Sequence, residues 1–92
     1  MTASFPEQRL SDLARGATAV VLGVEHRPGT DGVAGRLEDL GFVPGECLRV
    51  IARGPIGGDP LVVQVGFTRF ALRRSEAARI RVNTEEAACT LP

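Results

Sequence analysis

RLEDLGFVPG, residues 36 to 45, ends a helix and opens a strand in a single stretch. Leu37 and Leu40 lie three apart on one helical face, and Arg36, Glu38 and Asp39 point elsewhere. Gly41 can take the left-handed conformation that stops a helix, and Pro44 cannot continue one. The chain is therefore turned back here, and the flanking segments decide what it turns towards.

Downstream, ECLRVIAR alternates, with Leu48, Val50 and Ala52 on one face and Arg49 and Arg53 on the other, the pattern of a half-buried strand. GPIGGDP, residues 54 to 60, is dense in turn residues and leads into LVVQVGF, where Leu61, Val63, Val65 and Phe67 share a face. The two strands are expected to form a hairpin with a long loop. A reversal at Gly66 to Arg69 leads into FALRR. SEAAR reads as one helical turn capped by Ser75, with Glu76 well placed against the helix N-terminus, and IRV, residues 80 to 82, as a last strand.

Upstream of the corner, residues 27 to 32 (RPGTDG) form a loop in which Thr30 or Asp31 can cap the helix, whose apolar stripe is Val33, Leu37 and Leu40. TAVVLGVE, residues 18 to 25, reads as a largely buried strand bounded by Gly16 and Pro28. Before it, LSDLARG offers one helical turn capped by Ser11, with Leu10 and Leu13 inward. Residues 1 to 9 are expected to be a flexible leader, 10 to 82 the domain, and 83 to 92 a tail that is mobile or part of an oligomer contact.

About five short strands, one brief helix and one or two helical turns bury their apolar faces most readily as a mainly β, small, partly closed antiparallel barrel. The expected core is Val20, Leu22, Leu37, Leu40, Leu48, Val50, Val63, Val65, Leu72, Ile80 and Val82, each worth about 1.5 to 3 kcal/mol by burial.

Composition bounds the function. The 92 residues make one small domain, and a chain of this size is an unpromising host for a deep enzyme cleft. With 43% hydrophobic residues it can fold without metal or disulfide staples, and no apolar run is long enough to cross a bilayer. The N-terminal MTASFPEQRL lacks the order of a secretory signal, so the cytoplasm is the expected location. Eleven basic residues, all arginine, balance 11 acidic ones. Without lysine there is no Walker A loop and no Schiff base, and balanced charge disfavours non-specific nucleic-acid binding. Cys47 and Cys89 are far apart without CxxC spacing and are read as thiols rather than as a disulfide.

Taken together, R-L-E-D-L-G-F-V-P-G, V-I-A-R-G-P-I-G-G-D-P-L and F-A-L-R-R-S-E-A-A-R-I-R-V resemble the FeoA family of bacterial ferrous iron uptake, over residues 10 to 82. The resemblance implies an SH3-like barrel and a non-enzymatic role assisting or regulating the membrane transporter FeoB, which carries a GTP-hydrolysing domain. Similar modules form the C-terminal domain of iron-dependent repressors, but residues 1 to 9 show no pattern of DNA-reading helices.

Three surfaces are candidates for partner binding. The corner Leu40, Gly41, Phe42 and Pro44 is mostly explained by the helix stop, but Phe42 either covers the barrel end or forms an exposed apolar patch. The loop Pro55, Ile56, Gly57, Gly58 and Asp59 is stiffened by proline and displays Ile56 at its tip. Arg73 and Arg74 lie either on a solvated face or in a patch that meets acidic residues. The loop lacks the G-K-[ST] of a phosphate site. No cofactor is implied and no ligand set has metal spacing, which leaves His26 and Glu25 as weak metal candidates. The alternative function is a divalent-metal-sensing module that binds Fe(II) or another transition metal ion. Nucleic-acid binding and membrane insertion are not expected; a homo-oligomer is left open.

Overall fold

The computed structural model describes residues 8–29 and 32–84. Within them one antiparallel sheet contains β1 (Gln8–Arg9), β2 (Thr18–Val24), β3 (Cys47–Gly54), β4 (Gly58–Val65), β5 (Thr68–Leu72) and β6 (Ile80–Asn83). A 3-10 turn spans Leu10–Asp12, and the helices are α1 (Gly32–Leu40) and α2 (Arg74–Ala77). The strand order is β1-β6-β2-β3-β4-β5. The mainly β architecture is as expected, but among the described residues no ladder joins β5 back to β1, so the sheet is not closed by hydrogen bonds. Pairing begins at Gln8, which lies opposite Val82 and extends the sheet into the stretch read as a leader.

The stop at residues 36 to 45 is a Schellman motif. The Phe42 N–H donates to the Leu37 carbonyl at 3.2 Å and the Gly41 N–H to the Glu38 carbonyl at 3.0 Å, satisfying two carbonyls the helix leaves without partners. Gly41 holds φ +116°, a conformation that side chains resist. The motif also sets an apolar contact between the first residue beyond the turn and the last helical turn. Here those residues are Phe42 and Leu37, both fully buried in one cluster. The Phe42 ring packs against Phe70 with centroids 5.7 Å apart and planes tilted by 53°. Beyond it the Gly45 N–H donates to the Val21 carbonyl, and the Val21 N–H to the Glu46 carbonyl, which pins the corner onto β2.

The core confirms Leu37, Leu48, Val50, Val63, Val65, Leu72, Ile80 and Val82 and corrects β2, where Ala19 and Val21 are buried while Val20 is half-buried and Leu22 is 38% exposed. TAVVLGV is apolar on both alternating sets, so alternation carries no phase there; the pairing with β3 and β6 chooses it. A bulge between Val21 and Gly23 then buries Gly23 and Val24 in succession. Leu40 is only half-buried, packed on the rim of the cluster.

Phe67 is not on an inward face of β4. The strand ends at Val65, paired with Thr68, so Gly66 and Phe67 form a two-residue turn and Phe67 is 88% exposed. Neither serine caps a helix. Asp12 Oδ2 accepts from the Arg9 N–H, and Glu76 Oε1 accepts from the Arg73 N–H at 2.8 Å, so in each turn the carboxylate reaches back one turn while Ser11 and Ser75 sit inside it. Thr30, Asp31 and Cys89 lie outside the described residues. Cys47 is disulfide-bonded, which corrects the thiol reading; that reading rested on sequence separation and the lack of CxxC spacing, neither of which decides what meets in the fold.

Candidate protein-interaction surface

β3 and β4 run antiparallel from Leu48 opposite Val65 to Gly54 opposite Gly58, leaving Pro55, Ile56 and Gly57 as the tip of the hairpin. The long loop expected from GPIGGDP is thus shorter, because Gly58, Asp59 and Pro60 already belong to β4. The tip folds tightly on itself, with Ile56 bridged to Asp59. A side chain at Gly54 would collide with the Asp59 carbonyl, so this close approach of two backbones requires glycine. Ile56 is left 82% exposed.

Two bonds hold this tip to α2. The Arg74 N–H donates to Asp59 Oδ1 at 3.0 Å, and the Arg74 guanidinium reaches the Gly57 carbonyl at 3.4 Å. Arg74 is thereby placed beside the apolar tip, and both it and Arg73, its neighbour in the chain, are exposed. The structure therefore brings the 55–59 loop together with Arg74 of the expected arginine pair. Glu76 of α2 is in turn bonded to Arg36 of α1 at 3.2 Å, which links the two helices.

The corner is elsewhere. A Cβ on Gly41 would lie 3.8 Å from Val65, at the end of β4 opposite Gly58. Eight residues of β4 separate the two ends, about 25 Å at strand rise. Phe42 is fully buried, so of its two readings the exposed patch is corrected and the covering of the core stands. Val43, beside it, is 37% exposed. The exposed aromatic that sequence reasoning missed is Phe67, and the signal was Gly66, which makes V-G-F-T a turn rather than a strand continuation.

The weak metal candidates face different partners. His26 Nε2 is 2.9 Å from Glu38 Oε2 on α1, whereas Glu25 pairs with Arg9 at 3.3 Å and Arg27 at 4.0 Å. Among the described residues no group of three or more His, Cys, Asp or Glu side chains is placed to hold an ion. Nor, among them, is any helix long and apolar enough to cross a membrane. Arg53, expected on the solvated face of β3, instead donates to the Leu13 and Ser11 carbonyls at 2.6 and 3.2 Å, closing the 3-10 turn.

A family model described as the FeoA domain matches residues 8–84. FeoA of Stenotrophomonas maltophilia, solved with zinc and described as a procaryotic SH3 domain protein and candidate ferrous iron transport activating factor, is 54% identical. It superposes with a TM-score of 0.76, over 83% of this chain and 89% of that one. The solution structure of FeoA from Chlorobium tepidum is 35% identical, with a TM-score of 0.72 over 92% of this chain and 81% of its own. A manganese-dependent transcriptional repressor is similar at 20% identity and a TM-score of 0.73, over 89% of this chain and 44% of the repressor, a likeness of fold alone. A comparison with curated proteins gave no match.

Proposed function

The chain belongs to the FeoA family, and from this role in ferrous iron transport we propose that it is a non-enzymatic accessory module that binds the transporter FeoB on the cytoplasmic side and modulates its assembly, GTP hydrolysis or gating. The observation that carries the reading is the hairpin tip: an isoleucine 82% exposed, held in place by bonds from Arg74 to Asp59 and Gly57. An apolar anchor already ordered in the free protein loses little freedom on docking, which favours affinity. Arg74 beside it, with Arg73 its neighbour in the chain, favours a partner surface with acidic residues, since complementary charge speeds encounter and selects partners.

Amide chemical shifts of the labelled protein, titrated anaerobically with detergent-solubilised transporter, test this. Selective broadening at residues 55 to 59, 73 and 74, lost in Ile56→Asp, is the expected result. Unchanged spectra, or an Ile56→Asp variant that associates as well as the wild type, would remove this surface from the proposal.

A further inference from the structure

The topology leaves β5 with one neighbour. All five of its residues pair with β4, from Thr68 opposite Val65 to Leu72 opposite Leu61, with no break in register. Among the described residues nothing pairs with its other side. Because the Gly66–Phe67 turn is closed by Val65 and Thr68, the pairs Val65–Thr68, Val63–Phe70 and Leu61–Leu72 exchange backbone bonds. The N–H and C=O groups of Arg69 and Ala71 then point away from β4 along an open edge. Of the devices that ordinarily blunt an edge strand, β5 shows no proline, no bulge and, among the described residues, no covering strand; it is short and it carries charge, at Arg69, which repels a like-charged partner and not an acidic one.

The side chains say what suits this edge. Alternation puts Arg69, Ala71 and Arg73 on one face; all three are exposed, and Arg73 continues the extended backbone at φ −67°, ψ 149°. Among the described residues neither the Arg69 nor the Arg73 guanidinium has an ion pair or hydrogen bond. At the head of the strand Phe67 is 88% exposed and supplies an apolar contact.

We propose that β5 is an acceptor edge for an extended acidic segment of another protein, which pairs with the backbone of Arg69 and Ala71 while its carboxylates meet Arg69 and Arg73. A second copy of β5 is the poorer occupant. Antiparallel self-pairing centred on Ala71 sets Arg69 opposite Arg73, and centring on Arg69 sets that residue opposite itself, and like charges so opposed destabilise a sheet; centring on Phe70 sets Arg69 opposite Ala71 and avoids the clash, but leaves both arginines without a counter-charge. The inference goes beyond the transporter reading and does not depend on the hairpin tip.

The test uses the full chain and a synthetic peptide of alternating glutamate and valine at millimolar concentration, read by amide hydrogen exchange and chemical shift. Exchange should slow at Arg69 and Ala71, and binding should weaken about tenfold in Ala71→Pro, which removes an outward N–H and leaves the ladder to β4 intact. Unchanged exchange at these two amides overturns the proposal, as does an Ala71→Pro variant that binds like the wild type. Should that variant fail to fold, Arg69→Glu combined with Arg73→Glu decides: it must lose the glutamate–valine peptide and gain a lysine–valine one, and failure on either count overturns the proposal. Protection of the same amides by self-association, without peptide, would assign the edge to a second copy and overturn it equally.

Discussion

The Arg74 backbone N–H and the Asp59 carboxylate lie 3.0 Å apart, and this bond joins the first turn of α2 to the hairpin between β3 and β4. Both groups are exposed, so the bond contributes modestly to global stability and chiefly to local order. In Asp59→Ala we expect a loss of about 1 kcal/mol in urea unfolding, with faster amide exchange confined to residues 56 to 58 and 74.

Phe42 and Ile56 should behave oppositely. Phe42→Ala opens a cavity beneath Phe70 and should cost about 3 to 5 kcal/mol, a large share of the stability of a domain this small. Ile56→Asp should change stability by less than about 0.5 kcal/mol, since the residue is 82% exposed. Denaturant melts of the two variants, side by side, check this.

Gly41→Ala should destabilise by about 1 kcal/mol or more, because alanine resists φ +116° and the Schellman bonds depend on it. Slower folding or a lower urea midpoint with an unchanged slope is the expected form of the loss. A variant as stable as the wild type would show that the turn re-forms without this backbone conformation.

Glu76, rather than Ser75, should be the residue on which α2 depends. Its carboxylate takes the Arg73 N–H and also the Arg36 guanidinium, so Glu76→Ala should cost about 1 to 2 kcal/mol, whereas Ser75→Ala stays within about 0.5 kcal/mol. Thermal unfolding of both variants separates the two assignments.

The pair His26–Glu38 is exposed, and its loss in His26→Ala should shift stability by less than about 1 kcal/mol. Anaerobic Fe(II) titration of the same variant tests the metal-sensing alternative. Stoichiometric binding by the wild type that vanishes in the variant would favour that alternative.

Element types were legible wherever a local signal was unambiguous. Gly41 and Pro44 mark the end of α1, GPIGG marks the β3–β4 turn, and the alternation of Leu61, Val63 and Val65 sets the buried face of β4. Phase was illegible in TAVVLGV, where both faces read as apolar and only pairing with β3 and β6 could select Ala19 and Val21. The caps were misread because the turns begin earlier than the serines, at Arg9 and Arg73, whose N–H groups are taken by Asp12 and Glu76, leaving Ser11 and Ser75 two positions inside. Of the candidate surface, the tip with Ile56 at its apex was readable from composition. Its clasp to Arg74 was not, because the two lie 15 residues from Asp59 to Arg74 along the chain and meet only after β5 folds back.

The Schellman turn at Gly41 and Phe42 carries a lesson for how kinship is detected. RLEDLGFVPG is spent on ending a helix and anchoring a ring in the interior, so a likeness confined to this stretch records how the domain folds and is mute about any partner. Two chains could share RLEDLGFVPG letter for letter and differ at each of Pro55, Ile56 and Gly57, the residues left exposed at the hairpin apex.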